Sequence, residues 1–123
     1  MVDNVKVRRL QENLYIIKIV AGYSSAEFAS EIGVTRQCIH LWENGKTSMS
    51  GLHYLAIWKL IDIVIEEDTN MLLSTCWNEL VDYSEGDEES REKLRDTIYS
   101  LIGKNRTMKP RELSMILRQE VRI

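Results

Sequence analysis

A single proline and six glycines in 123 residues leave few places where the backbone is obliged to break. Few stretches alternate apolar with polar residues, so half-buried strands have little support and an all-helical chain is expected. No run of about 18 apolar residues exists, which argues against a membrane-spanning helix. The opening residues, MVDNVKVRRLQ, lack the apolar centre of an export signal, so a cytoplasmic location is expected. The two cysteines, Cys38 and Cys76, share no motif spacing. Both fall in apolar helical patterns and read as buried free thiols in a reducing compartment. Two histidines and two scattered cysteines make no metal set, so no cofactor is expected.

A basic excess is also lacking. The net charge of −3 argues, taken alone, against a nucleic-acid partner. The average hides a segregation. Residues 1–66 balance seven basic against seven acidic side chains, residues 67–92 carry nine acidic and only Arg91 basic, and residues 93–123 carry eight basic and three acidic. An acidic belt beside a basic tail can pair within one molecule, between two, or with other partners. DNA binding requires a local basic surface rather than a basic total.

Apolar residues at 44% and charged residues at 28% suit one compact domain or a small domain with an appendage. Leu10, Leu14, Ile17 and Ala21 recur at helical spacing and predict a first helix over 4–21, stopped by Gly22. Ser24 and Glu27 fit a capping box, and Tyr23 with Phe28 fits the hydrophobic staple beside it. This second helix buries Phe28, Ala29 and Ile32 and ends at Gly33. Thr35 is an N-cap for a third helix whose inner side is Cys38, Ile39 and Trp42, and Asn44-Gly45 stops it. A fourth helix over 51–66 starts at Ser50. Leu52, Leu55, Ala56, Leu60, Ile63 and Val64 are expected on its buried side, with Ile57 and Trp58 widening the apolar surface so that more than one side is covered. Three more helices are expected, over 69–83, over 88–102 with Gly103 closing it, and from Pro110 onward. The dense stripe Leu72, Leu73, Cys76, Trp77, Leu80 and Val81 either pairs two copies or packs within the molecule.

Residues 24–46, SSAEFASEIGVTRQCIHLWENGK, place caps, turn, core spacings and ending in a specific order. The segments Ser24-Ser25-Ala26-Glu27-Phe28-Ala29, Gly33-Val34-Thr35-Arg36-Gln37, then Ile39 and Trp42-Glu43-Asn44-Gly45-Lys46, closely resemble the helix-turn-helix of the XRE family, which includes the phage lambda-type repressors and Cro. The resemblance spans roughly residues 6–66. It implies a lambda-repressor-like helix-turn-helix bundle in which the helix over 35–44 enters the major groove of double-stranded DNA.

The chemistry of that helix agrees. Its outward side carries Arg36, Gln37, His40, Leu41 and Asn44, and helix N-terminal residues reach base edges in the major groove. Arg36 can donate twice to guanine O6 and N7, and Gln37 can pair with adenine N6 and N7. His40 suits a base or a phosphate. Leu41 stands where the family often has a polar base reader, and it either meets a thymine methyl or completes the core. Thr35 and the first-turn N–H groups are candidates for phosphate. By resemblance so are Asn44, Lys46 and Ser25, the last where the family frequently has glutamine. Glu43 would repel phosphate and reads as structural. Relatives commonly break after the fourth helix at a glycine, whereas LHYLAIWKLIDIVIEED has no break and predicts a longer continuous helix.

The expectation is an all-α chain with a helix-turn-helix DNA-binding region over 1–66 and a C-terminal helical extension over 67–123. Two-fold operators favour dimeric readers, so the extension is assigned to a homodimer. The function expected is a sequence-specific transcriptional regulator, a repressor, and not an enzyme: no glycine-rich phosphate loop or nucleophile–histidine spacing is present. An antitoxin-type or adaptor protein, whose C-terminal helices bind a protein partner, is the alternative, and a purely structural bundle the third reading.

Overall fold

The computed structural model describes residues 4–121. Residues 1–3 and 122–123, the outer edges of the two expected regions, lie outside the described residues. Every regular element among those described is helical: α1 (Asn4–Glu12), α2 (Leu14–Val20), α3 (Ser25–Ile32), α4 (Arg36–Glu43), α5 (Gly51–Asp68), α6 (Met71–Cys76) running on as a π-helical segment (Trp77–Asp82), α7 (Glu88–Lys104) and α8 (Pro110–Glu120). No helix of the described residues is long and apolar enough to cross a membrane.

The expected first helix is two. Asn13 interrupts it at φ −111° and ψ 12°. Its backbone N–H is shared between the carbonyls of Arg9 (3.1 Å) and Leu10 (3.2 Å). Its side-chain amide donates to Arg9 O at 2.8 Å and, across the molecule, to Leu80 O at 3.0 Å. An asparagine amide that competes for backbone carbonyls is a local alternative to the helical ladder. Here the distant carbonyl of Leu80 fixes the break. Asn13 is buried, so without that partner its amide would cost stability rather than supply it.

The segment freed by this break, α2, is the axis of the fold. Its sequence LYIIKIV is buried on nearly every side: Leu14, Ile16, Ile17, Lys18, Ile19 and Val20. α1, α4, α6, α7 and α8 all pack on it. A seven-residue helix is marginal alone, and burial in this ring of neighbours holds it. Its last free carbonyl, Val20 O, accepts from Asn70 Nδ2 at 3.0 Å and from the hydroxyl of Ser114. Asn70 also accepts from Leu73 N at 3.0 Å as the N-cap of α6. One buried asparagine thus ends α2 and starts α6, tying the first half of the chain to the second. Side chains of 1–66 and of 67–123 form one buried cluster.

One open choice is settled and two expectations are corrected. The stripe Leu72, Leu73, Cys76, Trp77, Leu80 and Val81 is buried within the molecule, with Trp77 against Tyr54 (ring centroids 5.9 Å), so it is not a free pairing surface. Cys76 lies there, and burial pushes its thiol up to about 12; Cys38 is only half-buried. On α5 the buried residues are Tyr54, Ile57 and Ile61, whereas Leu52, Leu55 and Ile63 are exposed. The apolar pattern of α5 runs all round, and the inward side is chosen by its neighbours α1, α3 and α6. Finally, α7 runs through Gly103 to Lys104, with Asn105 as its C-cap.

The acidic belt is partly neutralised internally. Asp68 meets Arg118 of the basic tail at 2.8 Å, and Asp82 meets Lys6 at 2.6 Å. Tyr83 closes the π-helical segment in the left-handed region (φ 54°), its ring under the guanidinium groups of Arg9 (3.7 Å) and Arg91 (4.0 Å).

Candidate nucleic-acid interface

Two eight-residue helices, α3 and α4, are pinned at both ends by their own sequence. Ser24 accepts from Glu27 N and the Glu27 carboxylate accepts from Ser24 N, both at 3.1 Å, which completes the capping box. These bonds hold the Glu27 carboxyl below its usual range. Tyr23 packs on Phe28 with ring centroids 5.9 Å apart, the expected staple. Gly33 turns the chain at φ 83°, a conformation that costs glycine little. Thr35 Oγ1 then accepts from Cys38 N at 3.1 Å and starts α4. At the far end Gly45 N donates to Trp42 O (3.1 Å) and Lys46 N to Leu41 O (2.9 Å), the paired bonds of a Schellman ending.

The two sides of α4 differ sharply. Ile39 and Trp42 are buried, packed with the elements α1, α2 and α3, and the Trp42 ring lies 4.9 Å from that of His53. Arg36, Gln37 and His40 are exposed, as are Thr35, Asn44 and Lys46 at the flanks. Leu41 is half-buried between the two sides. The exposed group is brought together on one surface by α4 and its two capping turns. The N–H groups of Arg36 and Gln37, in the first turn, have no acceptor within the helix and suit an anion.

Ser25 differs from the other flank residues. It is half-buried and its Oγ accepts from Lys18 Nζ at 2.9 Å. A hydroxyl that accepts one bond keeps its own hydrogen to donate, so Ser25 still offers a donor, backed by an ammonium group.

Glu43 would give α4 an unfavourable charge toward phosphate. It is instead turned inward: Oε2 lies 2.8 Å from Lys18 Nζ, with both side chains almost wholly buried. Its Oε1 lies 3.6 Å from His40 Nδ1. With that carboxylate matched by Lys18, Arg36 and Lys46 are exposed cations on this surface.

Three residues of this region were not singled out from the sequence. Lys18 sits in the run LYIIKIV, where a lone lysine reads as an exposed residue of an amphipathic helix; nothing local signals its buried partner. Gln11 clamps the loop after α4: its Nε2 donates to Trp42 O (3.2 Å) and Thr47 O (2.6 Å), and its Oε1 accepts from Met49 N (3.0 Å). Arg8, exposed one helical turn earlier on α1, lines with Gln11, Glu12, Trp42, Glu43 and Asn44 a cleft of about 480 Å³ beside that loop. The basic pair Arg8-Arg9 was the only sequence signal for it.

Among the described residues no three His, Cys, Asp or Glu side chains converge as metal ligands. No family model, curated protein or solved structure matches the chain.

Proposed function

We propose that this chain is a sequence-specific double-stranded DNA-binding regulator, a repressor of the lambda type, in which α3 and α4 act as the helix-turn-helix and α4 enters the major groove. The observation that carries this reading is the division of α4. One side is committed to the core through Ile39 and Trp42, while Arg36, Gln37 and His40 are left bare on the other. A polar outward side is common to surface helices; what supports the reading is that this side carries Arg36, Gln37 and His40 together while the carboxylate of Glu43 is paired with Lys18.

In this reading Arg36 and Gln37 read base edges through paired hydrogen bonds, and His40 and Leu41 contact the adjacent base or its sugar–phosphate. Thr35, Ser25, Asn44 and Lys46 hold phosphates and set the register of the helix. Lys18 orients rather than contacts: it removes Glu43 from the surface and supports the Ser25 hydroxyl.

Selection from a random pool of duplexes, followed by affinity measurement, tests the reading. Arg36→Ala and Gln37→Ala each cost about 1–3 kcal/mol on the selected site and relax the preference at one base pair. An equal loss on every sequence rejects base reading by those side chains, and the absence of any salt-sensitive affinity rejects DNA as the partner.

A further inference from the structure

A groove of about 250 Å³ lies between α5 and the π-helical segment. Its α5 wall is Trp58, Ile61, Asp62 and Ile65, the i, i+3, i+4, i+7 spacing of one helical face. Its other wall is Ser74, Trp77, Asn78 and Asp82. An unbroken α-helix would bring residue 81 to the end of that wall. The π turn bonds i to i+5 and so carries an extra residue. Val81 is thereby sent into the core, 0% exposed, and Asp82 onto the groove. Such turns are rare and occur frequently at functional sites; here the turn sets a carboxylate where a valine would stand.

The chemistry of the two walls says what the groove takes. Trp58 is 46% exposed, and its indole meets no other ring and no cation among the described residues. Trp77 is held in place by Tyr54, with ring centroids 5.9 Å apart. Asp82 pairs with Lys6 at 2.6 Å, whereas Asp62 is exposed and has no hydrogen-bond or ion-pair partner among the described residues. The groove therefore sets one unmatched negative charge beside two indoles. Indole is the side-chain ring that best attracts a cation. Ile61 and Ile65 favour a cation that brings its own apolar groups, and a fully methylated nitrogen does so without a donor that must be satisfied. The side-chain amide of Asn78, likewise without a partner among the described residues, suits a hydroxyl on the same ligand.

We propose that this groove binds a small free cation with a methylated quaternary nitrogen, of the choline type. The trimethylammonium head lies at Trp58 and Trp77 with Asp62 as its counter-ion, and Asn78 meets the hydroxyl. At about 30 Å³ per water the groove has room for about eight waters, which suits a molecule of that size. One wall belongs to the first half of the chain and the other to the second, so occupancy bridges them and stabilises the fold. The site holds or fails without DNA and is independent of the reading of α4.

Titration of the full chain with choline at constant ionic strength, followed by NMR at the indole N–H signals, tests it. The expected result is a saturable shift at Trp58 and Trp77 with Trp42 unmoved. Ethanolamine, a primary ammonium, and the neutral tert-butyl analogue of choline, with carbon in place of nitrogen, each bind at least about tenfold more weakly. Trp58→Leu and Asp62→Asn each weaken choline about tenfold, while the Tm of the free chain stays close to unchanged because both side chains are exposed. Equal binding of the neutral analogue overturns the cation, and equal binding of ethanolamine overturns the methylated nitrogen. No saturable shift, or an affinity that neither substitution lowers, overturns the site. A trimethyl-lysine peptide held more tightly than choline overturns a free small molecule as the occupant.

Discussion

Lys18 Nζ lies 2.8 Å from Glu43 Oε2 and 2.9 Å from Ser25 Oγ, so one buried ammonium on α2 fixes the end of α4 and the start of α3 together. Removing one partner of such a pair leaves the other charge buried and unmatched, which costs about 3–5 kcal/mol. Lys18→Met and Glu43→Leu are each expected to destabilise in that range by urea denaturation. The double variant should lose much less than the sum, because it leaves no orphan charge. Strictly additive losses would show that the pair is not a coupled unit.

Gln11 holds the loop from Asn44 to Ser50 at Thr47 O and Met49 N and ties it to the end of α4 at Trp42 O. Gln11→Ala removes all three bonds and is expected to cost about 1–3 kcal/mol of stability. Amide exchange should quicken at Met49, whose N–H loses its acceptor. If the loop carries Asn44 and Lys46 to phosphate, DNA affinity falls by a similar factor on all sequences, with base preference unchanged.

Phosphate contacts have their own signature in salt. Each one adds about −0.9 to the slope of log affinity against log salt. Lys46→Ala is therefore expected to weaken binding on every duplex and to reduce the slope by about one. A loss with the slope intact would remove that residue from the phosphate set.

The capping box makes a pH prediction. The Ser24 backbone N–H, then its side chain, hold the Glu27 carboxyl below its ordinary value. A group whose folded value is depressed stabilises above its unfolded value and loses that contribution as the pH falls through the folded one. Glu27→Ala, which removes the carboxylate that accepts from the Ser24 N–H, is expected to cost about 1 kcal/mol at neutral pH. The gap to the unsubstituted chain should narrow in acid, below about pH 4. Thermal melts at neutral and acid pH check this, and a gap constant across that range would dissociate Glu27 from the cap.

What was legible in the sequence is what short-range chemistry controls. Ser24, Glu27, Gly33, Thr35, Ser50 and Pro110 act where they were expected, because a cap or a turn is satisfied by residues three or four positions away. The buried side of α4 was legible for the same reason, since Ile39 and Trp42 repeat at helical spacing. The break at Asn13 was not, because its second acceptor is Leu80, 67 positions along the chain. The inward side of α5 was not either, since a helix apolar all round gives periodicity no side to choose.

The sequence alone determined that the chain is helical, where α3 and α4 begin and end, and which residues α4 leaves without a role in its core. Tertiary structure decided that α2 is the buried axis, that Lys18 withdraws Glu43 from the surface, that the Trp77 stripe is spent internally, and which side of α5 turns inward. The physical reason is range. Caps and turns are settled by hydrogen bonds between near neighbours, whereas the partner of a buried charge or of an apolar face is whatever the rest of the fold brings within a few ångströms.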